Sequence, residues 1–357
     1  VIKHLRLVLL THRAFLIFLT SLTLHASELW ADSPRGDPEL RFCSQNLQRL
    51  GEKRSERKSA RQQAPAAKLE ALATRFVEAQ CEIIAVQEIF GERRADAEHQ
   101  LGELVRVLTK RTGRGYLFYL GSAPFDVIRN GFIVPKDTHI QPRFTDYQEL
   151  DLPRLERRGA ARSWSRSPVS LTVKLKGESG ERSVFLLNYH LKSKSHGFKD
   201  PTRTEFEVTR MEQAAWVHQL ALNELSKLGG RAIGILLGDR NSDSGSASAQ
   251  IIAGELTLTD FRDGGGCRLE RSARVECNQG SARSSSFVPL LSLSERETGR
   301  ELSTYAYRGS RQILDEILIE REELSLSRDG AGRLAVGVVG DFKDGSDHLL
   351  AWTELNW

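Results

Sequence analysis

The sequence predicts one large α/β domain built on mixed or antiparallel β-sheet. Short aliphatic runs of strand length recur from Leu40 to the C-terminus. Between them lie segments with helical apolar spacing and, elsewhere, Gly-containing hairpin turns, so both helices and hairpins join the strands. No G-x-G-x-x-G follows the first strand and no Walker loop occurs, which argues against dinucleotide- and NTP-binding folds. A length of 357 residues allows one large domain or two modest ones, and no repeat or linker divides it. At 39 % hydrophobic and 27 % charged residues, the composition is that of a globular protein with ample core.

The first residues have the pattern of a processing segment. VIKHLRLVLLTHR carries positive charge, AFLIFLTSLTL is an apolar stretch, and HASELWADS offers small residues for cleavage. Residues 1–27 are therefore expected to be a signal peptide, followed by a single domain over 38–357 and an exported (periplasmic or secreted) product. The apolar stretch is short for a bilayer crossing and Arg13 interrupts a longer one, so no transmembrane span is expected in the mature chain. The net charge of +4 includes Lys3, Arg6 and Arg13; the remainder is close to neutral, and global charge does not argue for nucleic acid.

ELRFCSQN reads as the first strand, and roughly residues 65–80 as a helix with Leu69, Leu72, Phe76 and Val77 on one face. EIIAVQEIF is the second strand, and residues 95–111 form a helix through Leu101, Leu104, Val105 and Leu108. GYLFYL and NGFIV follow as short strands, and PVSLTVKL and RSVFLLNYH form a hairpin about KGESGE. A helix near 203–228, with Val208, Met211, Ala215, Leu222 and Leu225 on one face, precedes strand AIGILLGD. Residues 262–302 have the weakest pattern, and QILDEILI, LAVGVVG and HLLAWTEL close the chain. Four cysteines suit an exported protein. A local Cys267–Cys277 bridge fits the loop between them, and Cys43 and Cys81 could pair across neighbouring strands; sequence does not choose among the three connectivities.

Six polar signatures punctuate the aliphatic runs: Asn46 after LRFCSQ, Gln87-Glu88 after EIIAV, His190 after VFLLNY, Asp239 and Asn241 in ILLGDRN, Asp315 in QILDEILI, and Ser346-Asp347-His348. Residues two apart on a strand face the same way. Asp239 thus sides with Ile233, Ile235 and Leu237, His190 with Val184, Leu186 and Asn188, and Glu88 with Ile84 and Val86. A carboxylate on such a row needs a cation or a donor. Asp315, flanked on its face by Ile313 and Ile317, calls for a partner, and His348 is the best candidate.

In these motifs the chain from about Arg41 to Trp357 resembles the endonuclease/exonuclease/phosphatase superfamily, in the manner of a deoxyribonuclease I-like, exported bacterial member. The resemblance implies a four-layer sandwich of two packed mixed or antiparallel sheets flanked by helices. It also implies a Mg²⁺-dependent phosphodiesterase, with Mn²⁺ or Ca²⁺ possible. Asn46, Glu88 and Asp347 look like metal ligands. Asp239 and Asn241 look like the pair that orients water and holds the phosphate, His348 like the phosphate-contacting histidine, and Asp315 like its partner. His190 in HLKSK, and Arg166 in RSP, resemble residues of the deoxyribonuclease I branch, although Arg166 also reads as a solvated residue of an Arg-rich loop. Gln48 departs from the aspartate of some DNA-repair relatives, which puts an abasic-site role and a second metal site in doubt.

A nucleic acid is the expected substrate. Lys192 and Lys194 stand beside His190, and Lys53, Arg54, Arg57, Lys58, Arg61, Arg154, Arg157, Arg158 and Arg162 would line a phosphate-tracking mouth. No stable protein partner is implied and a monomer is expected. The alternatives are a sphingomyelinase-like lipid phosphodiesterase, a phosphomonoesterase, and a catalytically dead binding module; SFVPLLSL would be the lipid enzyme's membrane-touching hairpin, but it lacks an interfacial aromatic pair and reads better as core or loop packing.

Overall fold

The computed structural model describes residues 40–52, 66–136, 141–148, 151–155, 163–177, 180–194, 205–229, 232–270, 273–278, 284–307 and 309–356. The expected signal peptide lies outside them. Leu40–Trp357 form one compact unit. Among the described residues, no helix is long and apolar enough to cross a membrane.

β1 (Leu40–Leu50) leads through α1 (Ala66–Glu78) to β2 (Ile83–Phe90), and α2 (Arg94–Thr112) leads to β3 (Tyr116–Leu120) and β4 (Ile128–Pro135). Next come β5 (Arg143–Asp146), the hairpin of β6 (Val169–Gly177) and β7 (Gly180–His190), α3 (Glu205–Leu228) and β8 (Ala232–Asp239). α4 (Ala247–Ala253) precedes a short hairpin, β9 (Cys267–Leu269) and β10 (Val275–Cys277), and β11 (Phe287–Pro289) runs directly into α5 (Leu290–Thr298). A second small hairpin, β12 (Tyr305–Tyr307) and β13 (Ser310–Gln312), is followed by β14 (Asp315–Glu320), β15 (Val336–Val339) and β16 (Leu350–Leu355).

Two six-stranded sheets result, ordered β15-β16-β1-β2-β4-β3 and β11-β14-β8-β7-β6-β5. Each contains one parallel pair, β1 with β2 and β7 with β8, and both pairs are joined by a helix because a parallel crossover cannot be made by a tight turn. Between the sheets, Val184, Leu186, Ile233, Ile235, Ile317 and Ile319 meet Phe42, Ile83, Ala85, Phe132 and Ala351. On the outer face of the first sheet, Leu69, Leu72 and Phe76 of α1 and Leu101, Leu104 and Leu108 of α2 cover Cys43, Ile84 and Val86. On the outer face of the second, Met211, Val217 and Ala221 of α3 and Ile251 and Ile252 of α4 cover Phe185, Leu187 and Leu236. The layers are helix, sheet, sheet, helix, as expected from the sequence.

The helices keep their expected extents, but two of their apolar residues do not face the core. Val77 and Leu222 fall at the edges of their stripes and are exposed. SFVPLLSL forms β11 and the start of α5, with Phe287, Leu290 and Leu291 buried, so it is core and not an interfacial hairpin. The disulfides are Cys43–Cys81, which ties β1 to the turn before β2, and Cys267–Cys277, which closes β9 on β10.

Gly238, next to the last residue of β8, has φ +147°, and a Cβ there would lie 2.0 Å from the Tyr189 carbonyl oxygen. We expect Gly238→Ala to lower unfolding free energy by about 2 kcal/mol or more, from backbone strain plus displacement of β7. Urea unfolding measures this, and a loss within experimental error would overturn the argument.

Candidate active site

β7, β8 and β14 lie side by side, and their register sets His190 opposite Asp239 and Asp239 opposite Asp315. Each shares parity with the aliphatic row between the sheets, so the three side chains form one lateral row at its open end. All three are buried. On the facing sheet Asn46 stands opposite Gln87.

Glu88 reaches the site by a different route from the one its parity implies. Ile84 and Val86, its companions by alternation, face α1 and α2 and not the space between the sheets. The pairing of β1 with β2 and of β2 with β4 shifts at this point, and Glu88 adopts φ +59°. The bulge turns its carboxylate back towards the site, with Oε1 3.8 Å from His190 Nε2.

Asp239 is saturated with donors. Its Oδ1 accepts from the Asn241 backbone N–H at 2.8 Å. Its Oδ2 accepts from Asn46 Nδ2 at 2.9 Å and Asn241 Nδ2 at 3.1 Å, with His190 Nε2 at 3.3 Å. Burial alone would raise its pKa; the bond to His190, the charges of His190 and His348 and the Asn241 N–H outweigh this and hold it well below the usual carboxylate range. Asp239 is therefore held as an anion, able to accept a hydrogen bond from a water.

The Asp315–His348 pair is formed, with Oδ2 2.7 Å from Nδ1. Burial of the imidazole works against its charged form, but the Asp315 carboxylate, with Asp239 and Asp347 behind it, prevails and raises its pKa to about 10. Burial pushes the Asp315 carboxyl up, and the His348 charge opposes it. His348 thus presents a charged ring beside Asp239.

Arg75 holds the loop that carries His348, and nothing in the sequence singled it out. It lies in the last turn of α1 and is buried. Its guanidinium donates to the carbonyls of His348 (2.7 Å), Asp341 (2.5 Å) and Asp344. Ser346 Oγ adds a bond to the Asn46 carbonyl at 2.8 Å, tying the same loop to β1. Also missed was a polar tie below the row: Gln87 Nε2 donates to Asn188 Oδ1 at 2.8 Å, while Asn188 Nδ2 donates to the carbonyls of Val86 and Gly131. Buried amides at mid-strand were the available signal.

Arg166 is not a solvated loop residue. It is buried, with Nη1 2.6 Å from Nε2 and 2.7 Å from Nδ1 of His190, and Nε 3.4 Å from Asp126 Oδ2. Lys194 donates to Asp243 Oδ2 (2.8 Å) and Gln312 Oε1 (3.3 Å), and Lys192 Nζ sits 5.1 Å over the Phe206 ring. The two lysines flank the site without touching the row. Lys53, Arg54, Arg57, Lys58, Arg61, Arg157, Arg158 and Arg162 lie outside the described residues; Arg154 is half-buried.

The donor set fits a hard divalent cation. Half-buried Asp347 has its pKa raised by burial and by the negative charge of Glu88, against the opposing charge of His348. Glu88 also comes together with His190 and Asp239, their ligand atoms all within 4.8 Å of one another, a grouping that could hold a cation. Asn46 Oδ1 accepts from the Gln48 N–H at 2.8 Å and keeps one lone pair for such an ion.

Known structures share this architecture. An endonuclease/exonuclease/phosphatase family protein from Bacteroides thetaiotaomicron matches with a TM-score of 0.51 at 16 % identity, over 90 % of this chain and 95 % of that one. The fold is that of the endonuclease/exonuclease/phosphatase family. D. rerio TDP2 complexed with a single strand DNA product has the same fold at TM-score 0.52 and 15 % identity, over 90 % of this chain and 100 % of that one. The human Nocturnin catalytic domain with bound sulfate has it at 0.51 and 13 %, over 89 % and 93 %. No family model and no curated protein matches the sequence.

His348 links folding to pH within the endonuclease/exonuclease/phosphatase fold. Its folded pKa of about 10 exceeds the ordinary 6.5. The stability from its protonation is fully present below pH 6.5 and lost as pH rises through about 10. In metal-free buffer, the stability advantage of the wild type over an Asp315→Asn/His348→Gln double variant should shrink steadily across that window. An advantage independent of pH would show that the ring is not held charged.

Proposed function

We propose that this protein is a divalent-metal-dependent phosphodiesterase, an exported nuclease that cleaves DNA, and RNA by the same chemistry, as a monomer. The reading rests on one observation: the register-locked row His190–Asp239–Asp315, with His348 attached to Asp315 and Glu88 beside His190. Glu88, Asp347 and Asn46 would hold Mg²⁺, or Mn²⁺ or Ca²⁺ in its place, which would supply Lewis acidity at the phosphoryl oxygen. The chain's own groups do the rest. Charged His348 donates from Nε2 to a non-bridging oxygen, while its Nδ1–H donates to Asp315. Asp239, held anionic, accepts a hydrogen bond from the attacking water, aims it at phosphorus and takes up the proton the water loses as the new P–O bond forms. Asn241 steadies that carboxylate, and Arg166 beside His190 adds a second cationic contact for the phosphate. His190 is left to protonate the departing oxygen.

Export is supported by the pairing of all four cysteines in disulfides. A nucleic-acid substrate is supported by the burial of SFVPLLSL, the feature that had favoured a lipid surface. It is also in keeping with the single strand DNA product held by TDP2 of the same fold.

Incubation with plasmid DNA, RNA, sphingomyelin and inositol phosphates, with Mg²⁺ or chelator, tests the reading. We expect chelator-sensitive cleavage of DNA, abolished by Asp239→Asn. Hydrolysis of sphingomyelin or a phosphomonoester but not of nucleic acid would sink the nuclease assignment, and no hydrolysis of any ester would favour a binding module. His190→Ala and His348→Gln should each lower kcat about 10²–10⁴-fold; unchanged rates in both would refute the site.

A further inference from the structure

Among the described residues, the exposed large hydrophobic side chains are Val77, Leu117, Phe125, Leu222 and Tyr307. The two aromatic ones are also the most exposed, Phe125 at 71 % and Tyr307 at 57 %. Each is connected to a different active-site histidine.

Tyr307 belongs to the His348 side. β12 packs on the segment of His348 through an isolated bridge between Tyr305 and His348, and the Leu349 N–H donates to the Thr304 carbonyl at 2.7 Å. The Tyr305 ring centroid lies 4.7 Å from that of His348. Tyr305 and Tyr307 share a strand face, with their rings within 13° of parallel and 6.5 Å apart. Aromatic surface therefore runs outward from His348 to Tyr305 and on to Tyr307 in solvent. Gln312, opposite Tyr305 in the hairpin, accepts from Lys194, which places positive charge along the same path.

Phe125 belongs to the His190 side. Its loop is laid against residues 165–167: the Phe125 N–H donates to the Ser165 carbonyl at 3.3 Å, and the Ser167 N–H to the Ser122 carbonyl at 3.0 Å. Its neighbour Asp126 pairs with Arg166, which touches His190.

Exposed rings on both sides of a phosphate site suit a substrate that carries an aromatic group on either side of its phosphodiester. Every nucleobase has a face for such a ring, so stacking of this kind tolerates sequence. In a duplex those faces are occupied by neighbouring base pairs, whereas a single strand offers them. Resting on the nuclease reading above, we infer that Tyr307 and Phe125 are base-stacking platforms flanking the scissile phosphate, and that the enzyme takes unpaired strands in preference to duplex.

The test compares a short single-stranded DNA with the same strand annealed to its complement, using the full chain and Mg²⁺. Wild type should favour the single strand about tenfold or more in kcat/KM, and Tyr307→Ala and Phe125→Ala should each raise its KM roughly five- to a hundredfold, while Tyr307→Phe restores it. Anisotropy titration of the labelled strand in an Asp239→Asn background should show the same losses in affinity. A preference for duplex, or an unchanged KM in both alanine variants, would overturn the inference while leaving the nuclease reading intact. Failure of wild type to cut any nucleic acid would instead remove the nuclease reading, and this inference with it. If Tyr307→Ala impaired only sphingomyelin hydrolysis, the platform would serve a choline headgroup, and the base-stacking assignment would be wrong.

Discussion

The Asp239 carboxylate is buried where the two sheets meet, and an ionised group there is tolerable only if donors replace the water it has lost. The donors come from separate parts of the chain: the Asn46 amide from the first sheet, His190 from the neighbouring strand, and the amide and backbone of Asn241 from the turn just beyond. The bond from Asn46 spans the sheets, so the same contact that keeps Asp239 charged also sets the width of the mouth. Deeper in, Asn188 repeats the arrangement by joining Gln87 and the carbonyls of Val86 and Gly131. At its open end the sandwich is held by hydrogen bonds of defined direction, which specify position more narrowly than aliphatic packing does.

Charge is ordered along the row as well as across it. Asp239 and Asp315 are neighbours in register, yet their surroundings push them in opposite senses, the first towards the anion and the second upward by burial until His348 answers it. A second buried pair backs them. Arg240, between Asp239 and Asn241, donates to the Ser242 and Ile313 carbonyls and lies 3.8 Å from Glu316, which accepts the Leu291 and Ser292 N–H groups at the start of α5. The loop bearing Asp347 and His348 has little regular structure, and its carbonyls take their donors from Arg75. The polar strand tips are thus fixed from behind by buried groups of other elements.

Where strands are regular, local pattern located the polar residues that the structure brings together. His190, Asp239 and Asp315 end or begin unbroken aliphatic runs, so alternation placed them between the sheets and even suggested His348 as the partner. Alternation misled at Glu88, because a bulge with positive φ reversed the face. Val77 and Leu222 sat on predicted apolar stripes but are exposed, whereas Arg75, an ordinary surface residue by type, is buried. Arg166 was singled out by family resemblance alone, with a solvated Arg-rich loop the alternative, and its place against His190 came from the fold. Each of these departures depends on what the rest of the chain places nearby.

By itself the sequence determined the order of the longer strands and helices, the parity of the core-facing rows on β7, β8 and β14, and the polar residues at their ends. These are local properties, written in spacings of two and of three to four residues. The tertiary structure decided which strands became neighbours, and therefore that His190, Asp239 and Asp315 stand in one register and that Cys43 pairs with Cys81. It also decided that Asn46 crosses the sheets to meet a carboxylate 193 residues away. Pairing over such separations is selected by the combined burial and hydrogen bonding of the whole fold, and leaves no mark in the spacing of any single segment.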